Sequence, residues 1–146
     1  MILVQPVEGY AVHPDMPHRA TPGAAGIDLR LAGSETVTIW PMERRLLPTG
    51  YRWDVGLDRV GLICPRSGLA LKRGITVLNA PGVLDSDYRG EVKVLLINLG
   101  DQPQSLEPGE RIAQIVITRC CMQQPRLGDL EMTDRGDGGF GSTGTL

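Results

Sequence analysis

Short apolar runs, many of them alternating with polar residues, recur along the chain and are cut by glycine and proline. Ile27 and Leu29 flank Asp28, and Thr36–Trp40 alternates with β-branched residues, the period of a half-buried strand. The same reading predicts an edge strand at Ile2–Val4 and further strands over Glu43–Pro48, Tyr51–Val55, Val60–Cys64 and Ile75–Leu78. Pro48-Thr49-Gly50 and Gly56-Leu57-Asp58-Arg59 are turn signals, and Asn98 to Pro108 reads as loop. Val92–Ile97 is nearly apolar on both faces, which predicts a core strand or one buried against another subunit. A last long strand runs from Gly109 to Thr118. By strict alternation Ile112, Gln114 and Val116 share one face, and Ala113, Ile115 and Ile117 the other, so Gln114 interrupts an apolar stripe. No sustained helical period and no fixed-length repeat appear, so the pattern is all-β.

With 146 residues the chain suits one domain with one core. Its 41% hydrophobic content argues against compositional disorder, and 19 glycines with 11 prolines fit many short strands and turns. A formal charge of −2 gives no general nucleic-acid surface, and no apolar run is long enough for a membrane helix. The first residues carry no basic stretch and do not read as a signal peptide. Cys64, Cys120 and Cys121 are odd in number and contain no CxxC, which disfavours a disulfide framework or zinc site and favours an intracellular, cytoplasmic location.

Candidate chemistry concentrates in a few segments. Asn79-Ala80-Pro81-Gly82-Val83-Leu84-Asp85-Ser86-Asp87-Tyr88-Arg89-Gly90-Glu91 links two apolar runs with far more polar groups than a turn requires. Strands flanking such a kinked arm form a groove whose backbone donors and acceptors suit the edge of a pyrimidine. A carboxylate there can orient and deprotonate a water, and Asp85 and Asp87 are not separated by spacing alone. Pro65-Arg66-Ser67-Gly68-Leu69-Ala70 offers a serine able to cap a short helix, a glycine that leaves room and a guanidinium fork, a combination suited to phosphate. Ser67 lacks the Gly-x-Ser-x-Gly elbow of a nucleophile, and His13 and His18 lie in a proline-broken loop without a catalytic setting. The end, Arg135-Gly136-Asp137-Gly138-Gly139-Phe140-Gly141-Ser142-Thr143-Gly144, has five glycines in ten residues around the only phenylalanine. Glycine-rich backbone can wrap phosphates, and an aromatic ring in such a tail can stack on a base. It is not a Walker A loop, because no Gly-Lys-Ser/Thr follows.

Taken in order, Ala24–Leu29, Pro65–Ala70, Asn79–Glu91, Gly109–Gln114 and Arg135–Gly144 resemble the five motifs of the trimeric dUTPases (dUTP pyrophosphatases). The resemblance covers about Pro22 to Gly144, and departs from the family at Arg19, where an aromatic residue is usual, so a local surface change is expected there. It implies a distorted jelly-roll β-barrel over 1–121, an arm over 122–134 and a flexible glycine-rich tail over 135–146. It implies hydrolysis of dUTP to dUMP and pyrophosphate by a homotrimer with three shared active sites. By the same resemblance Asp85 activates the water. Asn79, Leu84, Tyr88 and Phe140 take the base and sugar. Arg66, Ser67, Gly68, Gln114, Arg135, Gly139, Gly141, Ser142 and Thr143 take the phosphates. Asp28 meets Mg²⁺ through water, while Arg89, Glu91 and Arg111 are structural. The nearest alternatives are a dCTP deaminase-like enzyme and a catalytically silent nucleotide-binding or regulatory protein of the same fold. The tail and the base-arm motif argue against the first, and the presence of Asp85, Tyr88, Gln114 and Arg135 against the second.

Overall fold

A computed structural model describes residues 1–10, 17–140 and 142. Its strands are β1 (Leu3–Pro6), β2 (Gly26–Arg30), β3 (Val37–Ile39), β4 (Arg44–Asp54), β5 (Arg59–Cys64), β6 (Ile75–Val77), β7 (Gly82–Leu84), β8 (Glu91–Asn98), β9 (Gln104–Leu106) and β10 (Arg111–Arg119). One short helix, α1 (Ser67–Arg73), stands between β5 and β6. The strands form two four-stranded antiparallel sheets, β1-β4-β8-β6 and β2-β10-β5-β7, with a two-stranded ribbon of β3 and β9.

The core follows from alternation. The first sheet turns Leu47, Trp53, Val92, Val94, Leu96, Ile75 and Val77 inward, and the second turns Ile27, Leu29, Ile63, Leu84, Ala113 and Ile115 inward. Ile39, Leu106 and Leu69 add the ribbon and the helix to the same cluster. Each such side chain removed from water contributes about 1.5–3 kcal/mol, the main favourable term in the fold. On β8 the outward positions differ from the inward ones: Lys93 is exposed, Leu95 half-buried, and Leu46 opposite Leu95 is 60% exposed. The isolated chain therefore buries only one face of β8 fully at this end.

Four local expectations change. Pro48-Thr49-Gly50 does not break β4 into two strands; it is a bulge inside one strand of eleven residues. Pro48 lies opposite Lys93 and Arg52 opposite Glu91, so Thr49, Gly50 and Tyr51 face Val92 alone. The polar groups freed by the bulge find partners on β8: the Thr49 hydroxyl donates to Val92 O at 2.6 Å, and Gly50 N–H donates to Glu91 Oε1 at 2.9 Å. A turn signal was thus satisfied without a turn. The segment from Asn98 to Pro108 is not all loop, because Gln104–Leu106 pairs with Val37–Ile39. On β10 a second bulge lies between Arg111 and Ala113, so Ile112 joins the core instead of the face of Gln114. Ser67 is the first residue of α1 rather than its cap; Arg66 holds that position, and no side chain caps the helix.

Asn98 closes the end of β8. It is fully buried, donates through Nδ2 to Ile39 O at 2.9 Å and Gln102 O at 2.8 Å, and accepts from Gly100 N–H at 2.9 Å. Its carboxamide ties β3, β8 and the following loop together with no donor or acceptor wasted. Asn98→Ala orphans all three partners and should lower the unfolding free energy by roughly 3 kcal/mol or more, measured by urea unfolding at fixed protein concentration. A loss below about 1 kcal/mol would mean that the network does not hold this end of the sheet.

Candidate functional site

The polar residues singled out in the sequence fall into three groups. The first sits on the outer face of the second sheet. Asp28 lies opposite Gln114, and Gln114 opposite Cys64, so β2, β10 and β5 present these side chains in one row. Gly26 makes space for this row: a Cβ there would stand 2.3 Å from Gln114 Oε1. Gln114 Nε2 donates to Pro65 O at 3.0 Å, tying β10 to the segment that leads into α1. From that segment Arg66 Nε reaches Asp28 Oδ1 at 2.8 Å, while Ser67 and Gly68 lie exposed beyond it at the uncapped helix start.

Arg111 also belongs to this group. Its Nη1 donates to Asp28 Oδ2 at 3.2 Å, and its backbone carbonyl accepts from Arg66 Nη1 at 3.3 Å. Strict alternation assigns Arg111 to the core face with Ala113 and Ile115. The β10 bulge returns it to the outer face, opposite Arg30. The signal in the sequence was the misfit itself, an arginine at core parity on an apolar strand. Pro17, His18, Ala20, Thr49 and Tyr51 surround a small cavity beside Asp28 and Arg111. Burial pushes the Tyr51 phenol above its ordinary pKa, so it stays protonated at neutral pH. Arg19 donates from Nη1 to the carbonyls of Ala24 and Ala25, holding the loop that leads into β2.

Among the described residues no three His, Cys, Asp or Glu side chains come together as a metal cage. The carboxylate in this group is Asp28, and each of its oxygens already accepts an arginine N–H. A hard cation approaching this carboxylate directly would compete with those two contacts.

The second group lines a groove of about 300 Å³ formed where the chain leaves β6, crosses to the second sheet as β7, and returns as β8. Asn79, Leu84, Asp85 and Tyr88 all line it, together with Leu46, Ile63, Gly82, Val83, Glu91, Val92 and Lys93. Asp87 is not among its lining residues, because β7 ends at Leu84 and the chain turns, with Tyr88 N–H donating to Asp85 O at 3.2 Å. Alternation beyond Leu84, which would have kept Asp87 beside Asp85, therefore does not apply. The Tyr88 ring lies over Gly90, where a Cβ would stand 2.3 Å from the phenol oxygen, and its hydroxyl donates to Glu91 O at 3.2 Å. Arg89 pins the turn by donating to Ser86 O at 2.8 Å and Tyr88 O at 3.0 Å, and pairs with Asp54 at 3.3 Å. Glu91 joins the groove to the β4 bulge through Gly50 and stands 3.7 Å from Lys93 Nζ. The contribution of Lys93 and Val83 to the lining was not anticipated from the sequence. Both flank the expected motif residues, but only the crossing of β7 to the second sheet turns them toward one space.

The third group is the tail. Residues 121–137 are exposed, as is Phe140, and the hydrogen bonds of the tail are local. Arg135 Nε donates to Gly138 O at 2.9 Å, Gly138 N–H to Arg135 O at 3.0 Å, and Ser142 N–H to Gly139 O at 3.0 Å. Among the described residues no hydrogen bond or ion pair joins this tail to either of the other groups. Gly141 and Thr143 lie outside the described residues, as does His13.

Known proteins give a consistent comparison. A family model described as dUTPase matches residues 13–144. The chain is 54% identical over 136 residues to a deoxyuridine 5'-triphosphate nucleotidohydrolase of Rhizobium meliloti, covering 90% of this chain and 84% of that one. It is 48% identical over 132 residues to the protein of that description from Chlamydia pneumoniae, covering 89% and 91%. Among solved structures it is similar to the Staphylococcus bacteriophage 80alpha dUTPase with dUpNHpp, at a TM-score of 0.83 and 26% identity over 99% of both chains. It is also similar to a dUTPase from Streptococcus mutans, at a TM-score of 0.75 and 29% identity over 84% of this chain and 98% of that one.

The tight contact at Gly90 yields a structural test. In Gly90→Ala the new methyl group and the Tyr88 ring cannot both keep their places, so a crystal structure of the variant should show the ring displaced and its bond to Glu91 O lost. An unmoved ring would mean that Gly90 does not set the shape of the groove.

Proposed function

The chain belongs to the dUTPase family and hydrolyses dUTP to dUMP and pyrophosphate, and from that premise we propose how its own residues do so. The observation that carries the assignment of roles is the groove that gathers Asn79, Leu84, Asp85 and Tyr88 and leaves Asp87 outside. Uracil lies in this groove with its polar edge against Asn79 and the backbone of β7. Its pairing pattern differs from that of cytosine, whose exocyclic amine would leave buried groups unpaired, at a cost large enough to discriminate. Tyr88, held over Gly90 and tied to Glu91, packs under the deoxyribose and leaves no room for a 2'-hydroxyl. Asp85 holds a water in line with the α-phosphorus and accepts its proton as the phosphorus–oxygen bond to the β-phosphate breaks, so that the pyrophosphate leaves.

Arg66, Ser67, Gly68 and Gln114 receive the phosphate chain. Mg²⁺ arriving on the triphosphate would meet Asp28 through its coordinated waters, and would supply charge neutralisation along the phosphates. The doubly occupied Asp28 carboxylate supports a water-mediated contact over a direct one. The two sheets and the ribbon are the walls of a distorted jelly-roll barrel. Three copies assemble around a threefold axis, and each site takes the Asp28, Arg66 and Gln114 row from one chain, the groove with Asp85 from a second and the tail from a third. The exposed Leu46 beside Leu95 and the separation of the three groups in one chain support this arrangement. In the closed site Phe140 stacks on the base and Arg135, Gly139, Gly141, Ser142 and Thr143 wrap the phosphates, excluding all but the attacking water. The physiological result is a low dUTP pool, little uracil in DNA and a supply of dUMP, in the cytoplasm.

Pyrophosphate release with Mg²⁺ should be fast from dUTP and negligible from UTP, dTTP and dCTP. Asp85→Asn should lose about 10²–10⁴-fold in kcat while still binding dUTP, whereas Asp87→Asn stays within about threefold. Equal losses for the two variants would reject the assignment, and ammonia released from dCTP would point to a deaminase. The shared site has its own check. A chain carrying Asp85→Asn and a chain truncated after Asp134 should each be inactive alone and regain turnover when unfolded together and reassembled. No recovery in mixed trimers would mean that each tail serves its own chain's groove.

A further inference from the structure

We propose that Arg111 is a positioning residue of the triphosphate site, placed there by the β10 bulge; the proposal rests on the dUTPase reading and deepens it. One bulged residue touches both of its neighbours in the row. Its guanidinium takes Asp28 Oδ2 at 3.2 Å and its carbonyl takes Arg66 Nη1 at 3.3 Å, while Arg66 Nε takes Asp28 Oδ1 at 2.8 Å. The three residues form a closed ring of contacts in which each fixes the other two. The Asp28 and Arg66 side chains are only 23% and 26% exposed, so this is no loose surface pair.

The ring has a consequence for ligand geometry. An ionised carboxylate offers about four lone-pair sites. Two are taken by the arginines, one on each oxygen, so each oxygen keeps one site at which a metal-bound water would be met. Arg66 likewise spends two donors inside the ring, which sets the direction of those left for a phosphate oxygen. Arg111 is 46% exposed at its side chain, and its guanidinium contact is the one from Nη1 to Asp28. It contributes by holding Asp28 and Arg66 in place rather than by touching the reacting phosphorus.

The test compares native protein, Arg111→Met and Arg111→Lys. Calorimetry is run with dUMP and with a dUTP analogue bridged by nitrogen between the α- and β-phosphorus, with and without Mg²⁺, beside steady-state kinetics with dUTP. Arg111→Met should weaken analogue binding and raise both KM and the half-saturating Mg²⁺ concentration by about tenfold, with kcat within about threefold of native. Binding of dUMP, which lacks the β- and γ-phosphates, should stay within about twofold, and Arg111→Lys should recover part of the loss. Unchanged analogue affinity and Mg²⁺ requirement in a folded Arg111→Met trimer would overturn the proposal. So would a fall in kcat alone, which would make Arg111 part of the chemical step, or an equal loss of dUMP and analogue binding, which would make its role general packing. If Arg111→Met does not fold, Arg111→Gln is judged by the same affinities. Native protein that fails to turn over dUTP would instead defeat the functional reading itself.

Discussion

The register of β10 between β2 and β5 is the constraint on which the polar architecture depends. This strand is central in its sheet, so its side chains on one face pack the core through Ala113 and Ile115, and those on the other face set the row containing Asp28, Gln114 and Cys64. A slip of one residue would exchange the two faces. The hydrophobic pattern forbids that slip, because it would drive Gln114 into the core and Ile115 into solvent. Apolar burial thus fixes the position of a polar row to which it contributes no atom. The bulge at Ile112 is the one place where this alternation is broken, and there the extra residue goes into the core with Ala113 while Arg111 returns to the outer face.

The β4 bulge does comparable work on the other sheet. Three residues opposing one leave backbone groups without ladder partners, and Thr49 and Glu91 satisfy them from either side. Glu91 is then fixed at its side chain by Gly50 and at its carbonyl by the Tyr88 hydroxyl, so the bulge and the ring over the groove share one residue. Asn79, Asp85 and Tyr88, the lining residues outside strands, are in this way held against a groove whose other walls are strands. That matters because carboxylates in general are weak bases at neutral pH. In the role proposed for Asp85, the rate would come mainly from holding a water in the correct line, which a rigid groove would supply.

Much of this was legible in the sequence. Alternation located most of the strands, and the residues of the central segment do converge on one groove. What escaped was what alternation cannot encode. Pro48-Thr49-Gly50 carries the composition of a turn, but long-range bonds to β8 turned it into a bulge. Gln104–Leu106 is too short to show a period, and it is a strand only because Val37–Ile39 lies beside it. Ile112 was assigned to the wrong face because a single inserted residue reverses parity for what precedes it, and strict alternation would misplace Arg111 in the same way. Asp85 and Asp87 were equivalent by spacing until the chain turned after Leu84. Except for Asp85 and Asp87, which a local turn separates, the missing information was a contact with a strand distant in sequence.

The distribution of the three groups over the surface also bears on why such a small chain should assemble. With the roles proposed above, a triphosphate bound only at the Asp28 row would leave its base in water, and a base bound only in the groove would leave the phosphate charges without partners. Neither group alone encloses the α-phosphorus. Phe140 is fully exposed, and among the described residues the hydrogen bonds of the tail from Thr133 on are local. Apolar side chains such as Leu46 remain open beside the groove. In the proposed trimer, closed threefold symmetry would use one set of these surfaces three times, so that each chain's unfilled needs would be met by its neighbours' unused groups. Burial of the apolar face would then drive the association that brings the charged groups together.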